Sequence, residues 1–236
     1  EAFLHRLQKD TSGIDEERFR LFAFRKADEY FGKKTFIETY YDQRPIDMEA
    51  VRTKLTRCID NFLNSPCYNW IFMKTLTNKE NWMIEPGGYG ETRLGGLKAY
   101  CKMDFLFPVD GEVHIIDWKT GKRDEAKHLR QLAGYVAAAS SNFSLELDRV
   151  YSRIVYLYPT FDEIESRLTP ADLERFLQTV REQTSRMHAM CADVEQNIPL
   201  PIESFPLSPS PGICSLCNYR ELCFPKGFDN KEKVEL

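Results

Sequence analysis

Three residues in the middle of the chain have the types and spacing for hydrolytic chemistry. Asp104 lies in KMDFLF, and Asp117 and Lys119 lie in EVHIIDWKTG. Side chains alternate faces along a strand, so positions 117 and 119 emerge together and Trp118 points the other way. A turn at Pro108 to Gly111 would fold Lys98 to Phe107 antiparallel onto Glu112 to Trp118 and bring Asp104 beside Asp117. Two close carboxylates raise each other's pKa unless a cation lies between them, and a hard divalent ion such as Mg²⁺ suits that position. An amine at the same spot can steady or help deprotonate an attacking water and neutralise charge on a pentavalent phosphate. The same three residues would equally make a surface ion pair beside a turn aspartate, and D-x-K alone does not decide between the two.

The elements that must position them read as follows. Phe19, Leu21, Phe22, Phe24 and Ala27 recur at helical spacing from Glu16 to Tyr30, with Gly32 as the stop. A second amphipathic helix starts at an Asp47 N-cap and runs through Val51, Leu55, Cys58, Ile59 and Phe62 to the Asn64-Ser65-Pro66 break. After Lys79 the pattern changes to short β-prone runs separated by Gly-Gly and Asp-Gly, the mark of a meander. A helix follows from Glu125 to about Ser140, a strand over residues 149 to 159, and a long helix opened by Thr169-Pro170 with Leu173, Phe176, Leu177, Val180 and Met187 along one stripe. Residues 197 to 212 are rich in Pro and Ser and read as irregular.

The 236 residues, 42% of them hydrophobic, suffice for a core. A net charge of -4 gives no global basic field, so any nucleic-acid surface must be local, with RTKLTR (52 to 57) and WKTGKRDEAKHLR (118 to 130) as the basic stretches. No run is long and apolar enough to span a bilayer and no signal peptide pattern is present, which reads as a cytoplasmic protein with no membrane partner. The chain begins at Glu1 rather than Met, the expectation being a fragment whose first segment was removed or left out.

In this order the motifs resemble those of the PD-(D/E)XK nucleases, and within them the RecB-like exonuclease branch. That signature is an Asp on one strand and (D/E)-x-K on the next, matched by Asp104 and by Asp117-Trp118-Lys119. The branch adds Q-x-x-x-Y on the following helix, matched by Gln131 and Tyr135, which share a helix face at i, i+4. The resemblance implies an α/β fold with a restriction-endonuclease-like core: a central mixed β-sheet flanked by helices, after a helical N-terminal part. It implies one nuclease domain over residues 1–236, with 1–78 mostly helical, 79–196 the catalytic core and 197–236 an irregular cysteine-containing tail. Asp104 and Asp117 would hold Mg²⁺ or Mn²⁺, Lys119 would act at the scissile phosphate, and Gln131 and Tyr135 would line the groove or steady the lysine. The branch often adds a metal-binding histidine on an N-terminal helix. His5 in EAFLHRLQ matches in part, and an exposed helical histidine explains it equally well. Glu85, on the strand before the hairpin, is a weaker candidate, which a cross-strand ion pair also explains.

Seven cysteines are an odd number and do not form a secreted disulfide framework. Cys58, Cys67, Cys101 and Cys191 sit singly and read as free thiols. Cys214, Cys217 and Cys223, in ICSLCNYRELCF, crowd together in a way that favours a soft metal over disulfides in a reducing compartment. The same resemblance implies a [4Fe-4S] cluster held by these three and a fourth cysteine that would precede Glu1; structural zinc is the rival, and both need that fourth ligand.

The expected function is a metal-dependent DNA nuclease, an exonuclease by resemblance. Its substrate would be single-stranded DNA or DNA ends, in repair, recombination or phage- or CRISPR-related processing, beside a helicase or repair partner. The alternatives are a catalytically inactive module on the same fold that grips DNA or a partner, and a zinc-stabilised protein-interaction domain.

Overall fold

A computed structural model describes residues 2–9, 16–85, 91–205 and 210–225. In chain order these form α1 (Ala2–Lys9), α2 (Glu16–Phe31), α3 (Ile37–Tyr40), α4 (Met48–Leu63), α5 (Pro66–Thr75), β1 (Met83–Ile84), β2 (Glu91–Leu94), β3 (Leu97–Tyr100), β4 (Phe105–Val109) and β5 (Glu112–Lys119). Then come α6 (Glu125–Phe143), β6 (Val150–Tyr156), β7 (Asp162–Ser166), α7 (Pro170–His188), β8 (Cys191–Asp193), β9 (Ile198–Pro199), α8 (Pro211–Cys214) and α9 (Arg220–Cys223). The chain divides into two compact units, residues 1–30 with 47–183 and residues 31–46 with 184–236.

The first unit is built on a mixed five-stranded sheet of order β1-β4-β5-β6-β7. Neighbours are antiparallel except β5 and β6, which run parallel from Val113↔Val150 to Lys119↔Tyr156. A parallel pair needs a crossover, and α6 supplies it. The sheet separates two cores. On one side Ile116, Phe105 and Phe107 meet α1, α4 and α5 through Leu4, Leu7, Ile59, Phe62 and Ile71. On the other, Val113, Ile115 and Ile154 meet α6 through Leu132, Tyr135, Val136 and Ala139. This is the mixed α/β, restriction-endonuclease-like arrangement expected from the motifs.

Local chemistry sets the element ends. Asp47 Oδ1 accepts the Ala50 N–H at 2.9 Å and caps α4, while Asp124 Oδ1 accepts from Lys127 at 3.1 Å and caps α6. At α7 Thr169 Oγ1 accepts the Asp172 N–H and Asp172 Oδ2 accepts the Thr169 N–H, a reciprocal cap. Asp110 and Gly111, both at positive φ (52° and 76°), make the two-residue turn between β4 and β5, as a primed hairpin turn demands.

β7 falls outside the expected elements, and two expected ones take another form. Ser65-Pro66 ends α4, but it also opens α5: Ser65 Oγ accepts the Tyr68 N–H at 3.0 Å and Pro66 takes the first helical position. A cap and a stop signal use the same residues. The run from Lys98 to Phe107 is not one strand. Its first part, β3, pairs with β2 across Gly95 and Gly96 in a separate hairpin, and Cys101 to Asp104 form a break before β4. Cys101 and Met103 turn into the α6-side core there, which a continuous strand paired to β5 would not allow.

The second unit holds α3, the small β8–β9 pair and the two short helices α8 and α9. Arg220, 8% exposed, lies over the Tyr41 ring and bonds Asp42 Oδ1 at 3.0 Å, while Tyr41 OH donates to the Asn218 carbonyl at 2.9 Å. No helix among the described residues is long and apolar enough to cross a membrane.

Candidate active site

The alternation of β5 sorts its side chains. Val113, Ile115, Asp117 and Lys119 share the α6 face, whereas Trp118 turns to the opposite core, stacked on Phe105 (5.7 Å) and edge-on to Phe62 (6.2 Å). Pairing of Phe105 with Ile116 brings Asp104, one residue before β4, next to the 117–118 peptide. Asp104 Oδ2 accepts the Trp118 N–H at 2.9 Å. The break that interrupts the expected strand is thus what lets the Asp104 side chain bond the backbone of β5.

Asp117 is 1% exposed. Its Oδ2 lies 2.5 Å from Lys119 Nζ as an ion pair, and among the described residues its Oδ1 has no hydrogen-bond partner. Lys119 offsets part of the cost of burying this charge, and the unbonded Oδ1 leaves a lone-pair site open to a further ligand or cation. Burial raises the pKa of Asp104, the nearby Asp117 charge adds to it, and the Trp118 N–H and Lys119 oppose it. Burial likewise raises Asp117, with Lys119 opposing. Glu85 also faces this charge: its N–H donates to the Asp104 carbonyl at 3.0 Å, and its carboxylate pairs with Lys102 at 2.7 Å. An ion pair therefore accounts for Glu85, although its partner Lys102 lies in the break before β4 and not on a strand.

Lys119 is held from α6. Its Nζ donates to Gln131 Oε1 at 2.8 Å, Gln131 Nε2 donates to Tyr135 OH at 2.6 Å, and Tyr135 OH donates to the Lys102 carbonyl at 2.5 Å. Burial pushes the Tyr135 hydroxyl up to about 12, so it stays a donor. Gln131 and Tyr135, one helical turn apart, therefore form a relay from the amine to the backbone just before Asp104. Sequence reasoning reached both side chains but not the Lys102 carbonyl, because a backbone acceptor leaves no residue-type signal.

The donor types at Asp104 and Asp117 suit a hard divalent ion: two carboxylates, one of them buried with an oxygen left unbonded among the described residues. His5 is not part of it. α1 buries Phe3, Leu4 and Leu7, which turns His5 to solvent, and among the described residues no group of three or more His, Cys, Asp or Glu side chains converges. The same holds for Cys214, Cys217 and Cys223. They fall on two short helices and the turn between, Cys217 Sγ accepts the Tyr219 N–H at 3.4 Å, and Cys223 is exposed. Among the described residues these three thiols do not converge into a ligand set. Cys58, Cys67 and Cys101 are buried free thiols, as expected, and burial pushes Cys67 up to about 12.

The profile of the PD-(D/E)XK nuclease superfamily matches residues 19–224, and the chain belongs to that superfamily. Membership suggests metal-dependent nuclease activity and a DNA substrate. The match takes in the acidic hairpin, Gln131, Tyr135 and the three C-terminal cysteines, and leaves His5 outside. A solved structure titled "Crystal structure of SSO0001" overlaps 77% of this chain and 78% of its own at 17% identity, with a TM-score of 0.35, too loose an overlay to carry detail across. No curated protein matched.

Proposed function

We infer that this protein is a Mg²⁺- or Mn²⁺-dependent deoxyribonuclease of the RecB-like branch, acting as an exonuclease in the cytoplasm on single strands or DNA ends. The observation that carries the reading is the buried Asp117 carboxylate, beside Asp104, with Oδ2 paired to Lys119 at 2.5 Å and Oδ1 left unbonded among the described residues. Asp104 and Asp117 are the residues that would hold the ion, which when bound supplies Lewis-acid stabilisation of the phosphoryl charge and acidifies water. Lys119 faces the same spot, where its ammonium neutralises negative charge building on the phosphate oxygens. Gln131 keeps Lys119 Nζ from swinging onto Asp117 alone, and Tyr135 fixes which end of the Gln131 amide points at the lysine. The branch assignment rests on this Gln131–Tyr135 pair meeting the lysine.

The test is Lys119→Ala against the parent protein on end-labelled single- and double-stranded DNA with Mg²⁺ or Mn²⁺. The reading expects loss of cutting with metal binding retained; unchanged cutting removes it. DNA binding without cutting by the parent protein would instead favour an inactive module. Iron and acid-labile sulfide in freshly purified protein would support the cluster expected from Cys214, Cys217 and Cys223, zinc alone would favour a structural site, and absence of both would leave the thiols free.

A further inference from the structure

We propose that an aromatic recess beside Asp104 receives one unstacked base of a single-stranded DNA substrate, while the sugar-phosphate chain runs past Thr120 towards Lys54 and Lys122. The proposal rests on the nuclease reading above and narrows its substrate. The recess has a volume of about 560 Å³, is walled by Phe19, Phe22, Phe62 and Trp118, and has Asp104 and Thr120 in its lining. That size falls within the roughly 300–1,000 Å³ of small-molecule clefts, and an apolar wall with a few polar groups at one end is their usual make-up.

α2 supplies much of the wall. It carries FRLFAF, yet none of its residues is fully buried. Around the Phe22 ring stand Arg6 (5.6 Å), Arg25 (5.7 Å) and Lys26 (6.0 Å), and among the described residues the acid that pairs with these cations is Glu29, with Lys26 at 2.7 Å and Arg25 at 3.8 Å. Aromatic faces ringed by a surplus of cations are what sequence-tolerant single-strand binding uses: the face takes the base, the cations take the phosphates. A core awaiting only closure of a helix would not need the charges.

Thr120, directly after Lys119, also lines a second recess of about 500 Å³ with Lys54, Lys122 and Arg123. Arg123 is already bonded to Asp162 and Glu125. Lys54 lies over Tyr158 at 5.1 Å, and among the described residues neither it nor Lys122 pairs with an acid. The aromatic recess and the lysines thus flank the same residue next to the acidic pair. A paired, stacked base would have to leave its duplex to enter the first recess, at a cost of a few kcal/mol that an unpaired strand largely avoids.

The experiment measures binding by fluorescence anisotropy, using the full chain carrying Lys119→Ala so that nothing is cut. Oligonucleotides with one abasic residue moved position by position are compared with the intact single strand and with a blunt duplex. Expected are tighter binding of the single strand, a loss of about 5- to 100-fold at one abasic position, disappearance of that position's effect in Phe22→Ala, and its return in Phe22→Tyr. A flat abasic scan, or equal affinity for the duplex, overturns the proposal without needing any recess variant. Cutting by the parent protein with a flat scan sinks the recess alone, whereas a position-dependent scan in a protein that never cuts DNA sinks the nuclease reading and leaves the recess standing.

Discussion

Lys119 and Gln131 meet end to end, Nζ donating to Oε1 across 2.8 Å between β5 and α6. Without that acceptor the amine would have only the Asp117 carboxylate at 2.5 Å, and would be drawn out of position for a phosphate. Gln131 is thus a positioning residue for the lysine.

Gln131→Ala is expected to lower kcat about 10- to 100-fold, in line with the effect of small misplacements of catalytic groups, with little change in KM. Steady-state cleavage of a labelled oligonucleotide measures this. Gln131→Glu, which keeps an oxygen for Nζ, should recover part of the rate, and a KM-only effect would assign Gln131 to substrate binding instead.

Tyr135→Phe removes the hydroxyl that joins Gln131 Nε2 to the Lys102 carbonyl. Tyr135 is 6% exposed, so both former partners are left short of a bond in a mostly dry setting. Urea unfolding should show a loss of about 1–3 kcal/mol, and cleavage should fall less than in Gln131→Ala, because the direct contact to the lysine survives.

Asp117→Asn should stabilise the metal-free protein near neutral pH. The folded-state pKa of Asp117 is raised by burial, so its ionised form penalises folding at any pH above that value. As pH falls through the folded pKa towards the unfolded one, at about 3.9, the penalty disappears. Thermal melts in a chelator should therefore show a Tm advantage for the asparagine variant at pH about 7 to 8 that shrinks steadily towards pH 4. An advantage that grew on acidification would mean that the Lys119 pairing outweighs burial.

Divalent metal should reverse that ordering. Mg²⁺ or Mn²⁺ at 100 times its Kd stabilises a folded protein by about 2.7 kcal/mol, and because the ligands bind ionised the gain should rise with pH. Both Asp104 and Asp117 carry raised pKa values, so the rise should extend above the ordinary carboxylate range. In the Asp104→Ala, Asp117→Ala double variant the metal-induced Tm shift should vanish, and its persistence would place the ion elsewhere.

Much of this was legible in the sequence because period-2 and i, i+4 spacing are geometric statements. Asp117 and Lys119 had to share a face, as did Gln131 and Tyr135, whatever the rest of the fold. What spacing does not encode is which segment a strand pairs with. The run ending in KMDFLF is β-prone throughout, yet β3 joins β2 and only β4 joins β5. Ser65-Pro66 hid α5 because the residues that end one helix are good openers for the next. His5 and the C-terminal thiols show a different limit: ligand-type residues at family-like spacing say nothing about orientation, and the apolar stripe of α1 turns His5 outward.

The lone parallel pairing in the sheet has a temporal side. β5 and β6 can zip together only after the whole of α6 has been synthesised and laid across them, and such long-range pairings form late. The two carboxylates are set side by side by the local β4–β5 hairpin, whereas Gln131 reaches Lys119 only once the crossover helix docks, so the anchoring of the amine is the last part of the site to form.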